Sequence, residues 1–227
     1  MTKIKLCGIR REIDIEYANK YLPDYIGFVF AKSRRQVSSD DAMQLISNLN
    51  PDIKTVGVFV NEQLDKVVQI ADQCRLNVVQ IHGDETPGYI SLLKQKLTLS
   101  GFPFHDGCCK YGGNTGEGTA IWKVIRVRNI ESIKEMKCFN ADAFILDTYT
   151  EGSFGGAGKS FDWKLAAEAS NYGKIILAGG LNPENIKDAV IAAKPYAVDV
   201  SSGVETEGFK DEEKTKRFIY SVRCNAY

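Results

Sequence analysis

Two residues at the ends of short apolar runs are suited to moving protons. Cys7 follows Ile4–Leu6 and Asp147 follows Ala143–Leu146. A cysteine taken alone is most often a small buried hydrophobe. Cys7 differs because strand alternation puts Lys5 on its face, and Asp199 would join them from the run Ala197–Val200. A buried Lys5–Asp199 pair is expected, and its ammonium would lower the thiol pKa and favour thiolate, a usable base. Asp147 has two readings. It is a helix cap or loop bond, or it is a carboxyl whose apolar neighbours keep its proton available for donation.

Other segments suit binding. Ala178-Gly179-Gly180-Leu181 lets backbone approach a ligand closely, and Ser201-Ser202-Gly203-Val204-Glu205 offers small residues and hydroxyls. Glycine turns of this kind are common, but two of them after the last two strands of a barrel fit a phosphate held on backbone amides. The segment from Glu151 to Lys159 holds Gly152, Gly155, Gly156 and Gly158, which suits either surface flexibility or closure over a ligand. His82 ends another run and reads first as a structural hydrogen-bonding residue. Arg34 and Arg35 are ordinarily solvated, yet a guanidinium there would clamp a carboxylate.

These positions make sense only on a repeating scaffold. Apolar runs occur at Ile4–Leu6, Tyr25–Phe30, Thr55–Val60, Asn77–Ile81, Ile121–Val127, Ala143–Leu146, Lys174–Ala178 and Ala197–Val200. Amphipathic segments lie between them. Leu64, Val67, Val68, Ala71 and Cys74 share one helical face. Ser38, followed by Ser39, Asp40 and Asp41, caps a helix start with acids at the positive end of its dipole. Asn182-Pro183 predicts a cap and a first helical residue, opening a helix to about Ala193. A charged helix follows from about Lys210 to Cys224. Eight strand–helix units of about 28 residues fit a closed (β/α)8 TIM barrel better than a doubly wound sheet. Its active face would be the C-terminal ends of the strands. The Gly-rich stretch at about 98–119, with Cys108 and Cys109, is too long for an ordinary connection and reads as an insertion on the opposite face. No composition break divides residues 1–227, so one domain is expected.

Composition narrows the class. Lys+Arg and Asp+Glu are each 29, so no global field draws the chain to nucleic acid or an anionic membrane. With 44% hydrophobic and 26% charged residues, a folded globule is expected rather than disorder. The six cysteines form no C-x-x-C pair and no zinc-ligand spacing. No signal core precedes the first strand, so a cytoplasmic protein with reduced thiols is expected.

Lys5-Leu6-Cys7-Gly8-Ile9, Gly27-Phe28-Val29-Phe30, Gly57-Val58-Phe59-Val60-Asn61 and Val79-Gln80-Ile81-His82-Gly83 together form a specific pattern. It continues through Ile145-Leu146-Asp147-Thr148, the run from Gly155 to Trp163, the run from Ala178 to Asn185 and the run from Val198 to Glu205. In these segments the chain resembles the phosphoribosylanthranilate isomerases of tryptophan biosynthesis, in register from Lys3 to about Phe218. The resemblance implies an Amadori rearrangement of N-(5-phosphoribosyl)anthranilate to 1-(2-carboxyphenylamino)-1-deoxyribulose 5-phosphate, with no cofactor and no metal. It makes Cys7 the general base and Asp147 the general acid. It gives Arg35 the anthranilate carboxylate and places the phosphate at Gly180, Ser202 and Gly203. Gly155, Gly156, Asp199 and Ser201 join the implied substrate-binding set.

Two departures from the family pattern stand out. The loop Ala31–Arg35 is one residue shorter than in some members, which leaves Arg34 as an alternative clamp. The 98–119 insertion is not part of the common pattern. The implied partner is a small phosphorylated molecule, with neither nucleic acid nor membrane, and the chain would act as a monomer or homodimer. Indole-3-glycerol-phosphate synthase is a weaker match, because it carries a helical segment before strand 1. A histidine-pathway isomerase should show two matching halves with paired aspartates. A non-catalytic phosphosugar barrel would not need both Cys7 and Asp147.

Overall fold

The computed structural model describes residues 1–99, 118–148 and 163–224. Eight parallel strands close into one barrel in sequence order. They are β1 (Lys3–Cys7), β2 (Tyr25–Val29), β3 (Lys54–Phe59), β4 (Val78–Ile81), β5 (Ala120–Val127), β6 (Ala143–Thr148), β7 (Ile175–Leu177) and β8 (Ala197–Val200). Each expected apolar run overlaps its strand, because Val, Ile, Phe and Tyr pack well on a pleated surface buried on both sides. Closure pairs β1 with β8 and sets Lys5 opposite Asp199.

Strand alternation divides the core into two layers. Tyr25, Val56, Val78, Trp122, Val124, Ala143, Ile145, Ile176 and Ala197 pack together inside the barrel. Their strand neighbours Leu6, Phe28, Val79, Leu146, Val198 and Val200 face the helical ring. Among the inward positions that continue past the apolar filling at the C-terminal ends are Cys7 on β1 and Asp147 on β6. An even–odd pattern therefore delivers both side chains to one mouth.

The ring comprises α1 (Glu12–Tyr21), α2 (Ser39–Ser47), α3 (Leu64–Gln73), α4 (Pro87–Leu99), α5 (Ile130–Lys134), α6 (Trp163–Ala169), α7 (Ile186–Ala193) and α8 (Glu212–Arg223). Ser38 caps α2 as expected, accepting from the Asp41 N–H while Asp41 bonds back to the Ser38 N–H. On α3, Val67 and Ala71 are buried, and Cys74 behind them is buried too. The Asn182 expectation is displaced by three residues. Its side chain accepts from the N–H groups of Glu184 and Asn185, capping a turn that precedes α7. A short hairpin, β9 (Glu205–Thr206) with β10 (Phe209–Lys210), lies between β8 and α8 and has no counterpart in the sequence reading. The expected insertion falls between α4 and β5. Residues 100–117 and 149–162 are outside the described part, including Gly155 and Gly156.

Among the described residues, no helix is long and apolar enough to cross a membrane.

Candidate active site

Cys7 ends β1 half-buried. Lys5 Nζ stands 2.7 Å from Asp199 Oδ2, and both groups are buried, so the expected pair is present. Burial alone would push the Lys5 pKa down, but Asp199 and then Cys7 hold it above its ordinary value. The expected effect on Cys7 is reversed. Burial pushes the thiol up, and Asp199 adds to that push; Lys5 and Lys210 oppose it without prevailing. The ammonium is present, but its charge is largely matched by Asp199.

Asp147 is buried near the end of β6. His82, just beyond β4, reaches over β5 and places Nε2 3.4 Å from Asp147 Oδ2. The other ring nitrogen, Nδ1, lies 3.3 Å from Gln80 Nε2. If that amide donates, Nε2 carries the histidine proton, and it makes no hydrogen bond among the described residues. The turn after β4 is anchored from below. Buried Lys123 donates to the Gly83 carbonyl at 2.7 Å, with Glu85 Oε2 3.4 Å away. Glu85 in turn accepts from the Asn61 N–H after β3. Sequence reasoning gave His82 a structural bond and left its partner unnamed. Contact across an intervening strand leaves no local spacing signal.

Arg35 packs over Gly8. A methyl group at Gly8 would stand 2.4 Å from Arg35 Cδ, and Gly8 has φ +85°. The glycine therefore makes room for the arginine stem beside Cys7. Arg34 is 60% exposed, whereas Arg35 is 16% exposed. Both contact Glu205: Arg35 by a two-bond fork at 2.7 Å and 2.7 Å, Arg34 at 3.2 Å. Buried Lys210 donates to the same carboxylate at 2.9 Å and to the Ser201 carbonyl at 3.0 Å. Burial would raise the Glu205 pKa, but Arg35 and Lys210 hold it below the usual carboxylate range. This cluster was not foreseen.

Beyond β7, Gly179 and Gly180 take φ of +81° and +66°. Beyond β8, Ser202–Val204 forms one 3-10 turn. The first residues of such a turn have N–H groups with no partner inside it. The two loops touch: a methyl group at Gly203 would stand 1.9 Å from the Leu181 carbonyl oxygen. Ser201 Oγ donates to the Cys7 carbonyl at 3.0 Å, tying the end of β8 to that of β1. Asp199 Oδ1 is buried with no hydrogen-bond partner among the described residues.

The sequence profile of N-(5'-phosphoribosyl)anthranilate (PRA) isomerase matches residues 4–102 and 111–221. The chain belongs to the N-(5'-phosphoribosyl)anthranilate isomerase family. The gap in that match lies inside the expected insertion. The isomerase of Acetivibrio thermocellus is 52% identical over 98% of this chain and 96% of its own length. That of Thermoanaerobacter pseudethanolicus is 46% identical over 98% of each. The phosphoribosyl anthranilate isomerase structure from Thermotoga maritima matches with a TM-score of 0.81 at 32% identity, over 99% of this chain and 100% of its own. A solved isomerase in complex with reduced 1-(o-carboxyphenylamino)-1-deoxyribulose 5-phosphate matches with a TM-score of 0.79 at 31% identity, over 99% of this chain and 100% of its own. The chain is a PRA isomerase of tryptophan biosynthesis.

Proposed function

We propose that Cys7 and Asp147 are the base and acid of the isomerase reaction. The observation that carries this reading is their convergence, from separate strands, on one end of the barrel. Asp147 protonates the furanose ring oxygen. The C1–O bond then breaks as the anthranilate nitrogen lone pair forms a protonated C1 imine. Cys7, as thiolate, takes the C2 proton, and those electrons give the enolamine. Proton return to C1 and loss of the enol proton leave the ketone. No electrons leave the substrate, so no redox cofactor enters. His82, whose Nε2 lies 3.4 Å from Asp147 Oδ2 with no hydrogen bond between them, positions that carboxyl by contact. The unpartnered Asp199 Oδ1 accepts from a sugar hydroxyl. Ser201 braces β1 against β8, while the amides around Gly180, Ser202 and Gly203 take the phosphate, with Gly155 and Gly156 assigned to the same ligand by motif.

Arg35 holds the anthranilate carboxylate. Its position against Gly8 and beside Cys7 supports Arg35 over the exposed Arg34. Arg35→Met is expected to raise KM at least tenfold with a smaller change in kcat, because the contact exists in ground and transition states alike. The same effect from Arg34→Met, with Arg35→Met silent, would reassign the clamp. The reading also places the enzyme in the cytoplasm as a monomer or homodimer, a dimer being the form named for a Thermotoga maritima relative.

Gly203→Ala tests the phosphate site. The added methyl must force the β7 and β8 loops apart. Substrate and inorganic phosphate should both bind about tenfold or more weakly, a loss of about 1.4 kcal/mol. Unchanged inhibition by phosphate would place the anion elsewhere.

A further inference from the structure

Glu205 is an unusual neighbour for a residue that must bind a carboxylate. It is itself a carboxylate, buried to 4% exposure, and it already engages Arg35. The geometry of that engagement matters. Glu205 Oε1 takes Arg35 Nε and Oε2 takes Nη2, which is the side edge of the guanidinium. Arginine has a second edge, formed by its two terminal nitrogens, that also matches a carboxylate. Among the described residues nothing takes a side-chain hydrogen bond from Arg35 except Glu205. The end edge is thus free to receive a second carboxylate.

Glu205 is held in place independently of Arg35. It lies in the β9–β10 hairpin, where the register sets Lys210 directly opposite. Lys210 Nζ binds Oε1 at 2.9 Å, and Arg34 meets Oε2 at 3.2 Å. The hairpin turn, Glu207-Gly208, is itself fastened. Arg10 donates to the Gly208 carbonyl at 2.9 Å and to the Arg34 carbonyl at 2.7 Å, linking the hairpin to the loop that carries Arg35. The Arg10 and Arg11 guanidiniums lie 4.3 Å and 4.6 Å from the Phe209 ring centroid. Three basic side chains, Arg34, Arg35 and Lys210, thus surround the one Glu205 carboxylate.

We propose that Glu205 is a positioning residue for substrate selection: it grips the side edge of Arg35 and presents the end edge to the anthranilate carboxylate. The proposal rests on Arg35 being the carboxylate clamp. A guanidinium fixed in advance loses less side-chain entropy on binding, and its two-bond geometry rejects ligands without a planar anion. Glu205 never touches substrate; it acts through Arg35.

Two probes separate these roles. One is reduced 1-(o-carboxyphenylamino)-1-deoxyribulose 5-phosphate, and the other is the same compound without the carboxyl group. The ratio of their Kd values, by calorimetry, reads the carboxylate preference. In the unaltered enzyme that ratio should exceed ten. Glu205→Gln should lower it at least fivefold and leave the decarboxylated probe within twofold. Glu205→Asp keeps the charge opposite Lys210 but withdraws it by one methylene, so it should also lose preference while folding normally. In Arg35→Met the preference should vanish, and adding Glu205→Gln should change nothing more. Equal weakening of both probes in the Glu205 variants would make Glu205 merely structural and overturn the proposal. So would a full preference in Glu205→Asp and Glu205→Gln with loss only in Arg35→Met, and that outcome leaves the clamp assignment standing. Preference retained in Arg35→Met would overturn the clamp and the positioning role together.

Discussion

Asp147→Asn should lower kcat by about 10²–10⁴-fold while the Kd of a product-like ligand moves less than threefold. The amide keeps the size and polarity of the carboxyl but cannot deliver a proton to the ring oxygen. Ring opening then falls to water, which is excluded from a buried position. His82 provides the companion test. It stands 3.4 Å from Asp147 and, in the proposed mechanism, carries no proton to or from the substrate. His82→Asn should therefore cost less than Asp147→Asn, and the two losses should not multiply in the double variant. Stopped-flow measurement of kcat with ligand titration separates these outcomes. Near-normal turnover in Asp147→Asn would remove it as the acid.

The second large effect concerns the ionisation of Cys7. Its thiol should titrate above the ordinary cysteine value, because burial and Asp199 disfavour the thiolate more than Lys5 and Lys210 favour it. The sign follows directly. A base must be deprotonated, so below its pKa the competent fraction rises tenfold for each pH unit. Lys5→Met removes one of the two favourable charges and should push the thiol higher still, lowering activity at neutral pH. It also leaves Asp199 buried without its ion partner, so a stability loss of about 3–5 kcal/mol should accompany it. Thiolate absorbance of the enzyme minus that of Cys7→Ser isolates this one group from the other cysteines. A difference signal titrating at or below the ordinary value would contradict the account.

What was legible in the sequence follows from periodicity. Strand alternation put Cys7 and Lys5 on one face, and barrel closure brought Asp199 to them; the structure places that pair 2.7 Å apart. The start of α2 at Ser38 was legible because a small polar residue followed by acids marks a helix opening within four residues. What failed needed distance or burial. The sign of the Cys7 shift was misjudged because a sequence displays charges but not desolvation. The Glu205–Arg35–Lys210 cluster depends on a two-residue hairpin whose register no apolar pattern announces. One cue existed: Glu205 and Lys210 flank Glu207-Gly208, a turn with φ of +52° and +81°. The three-residue delay of α7 arose because Asn182 is equally able to cap a turn or a helix.

The most direct test of the central claim is fluorescence loss from freshly generated phosphoribosylanthranilate under single-turnover conditions, with Cys7→Ser and Asp147→Asn run beside the unaltered enzyme. The account predicts rapid loss in the unaltered enzyme and decay close to the spontaneous rate in both variants, each still binding the product-like ligand. A variant that consumed substrate as fast as the unaltered enzyme would contradict the acid–base assignment at that residue.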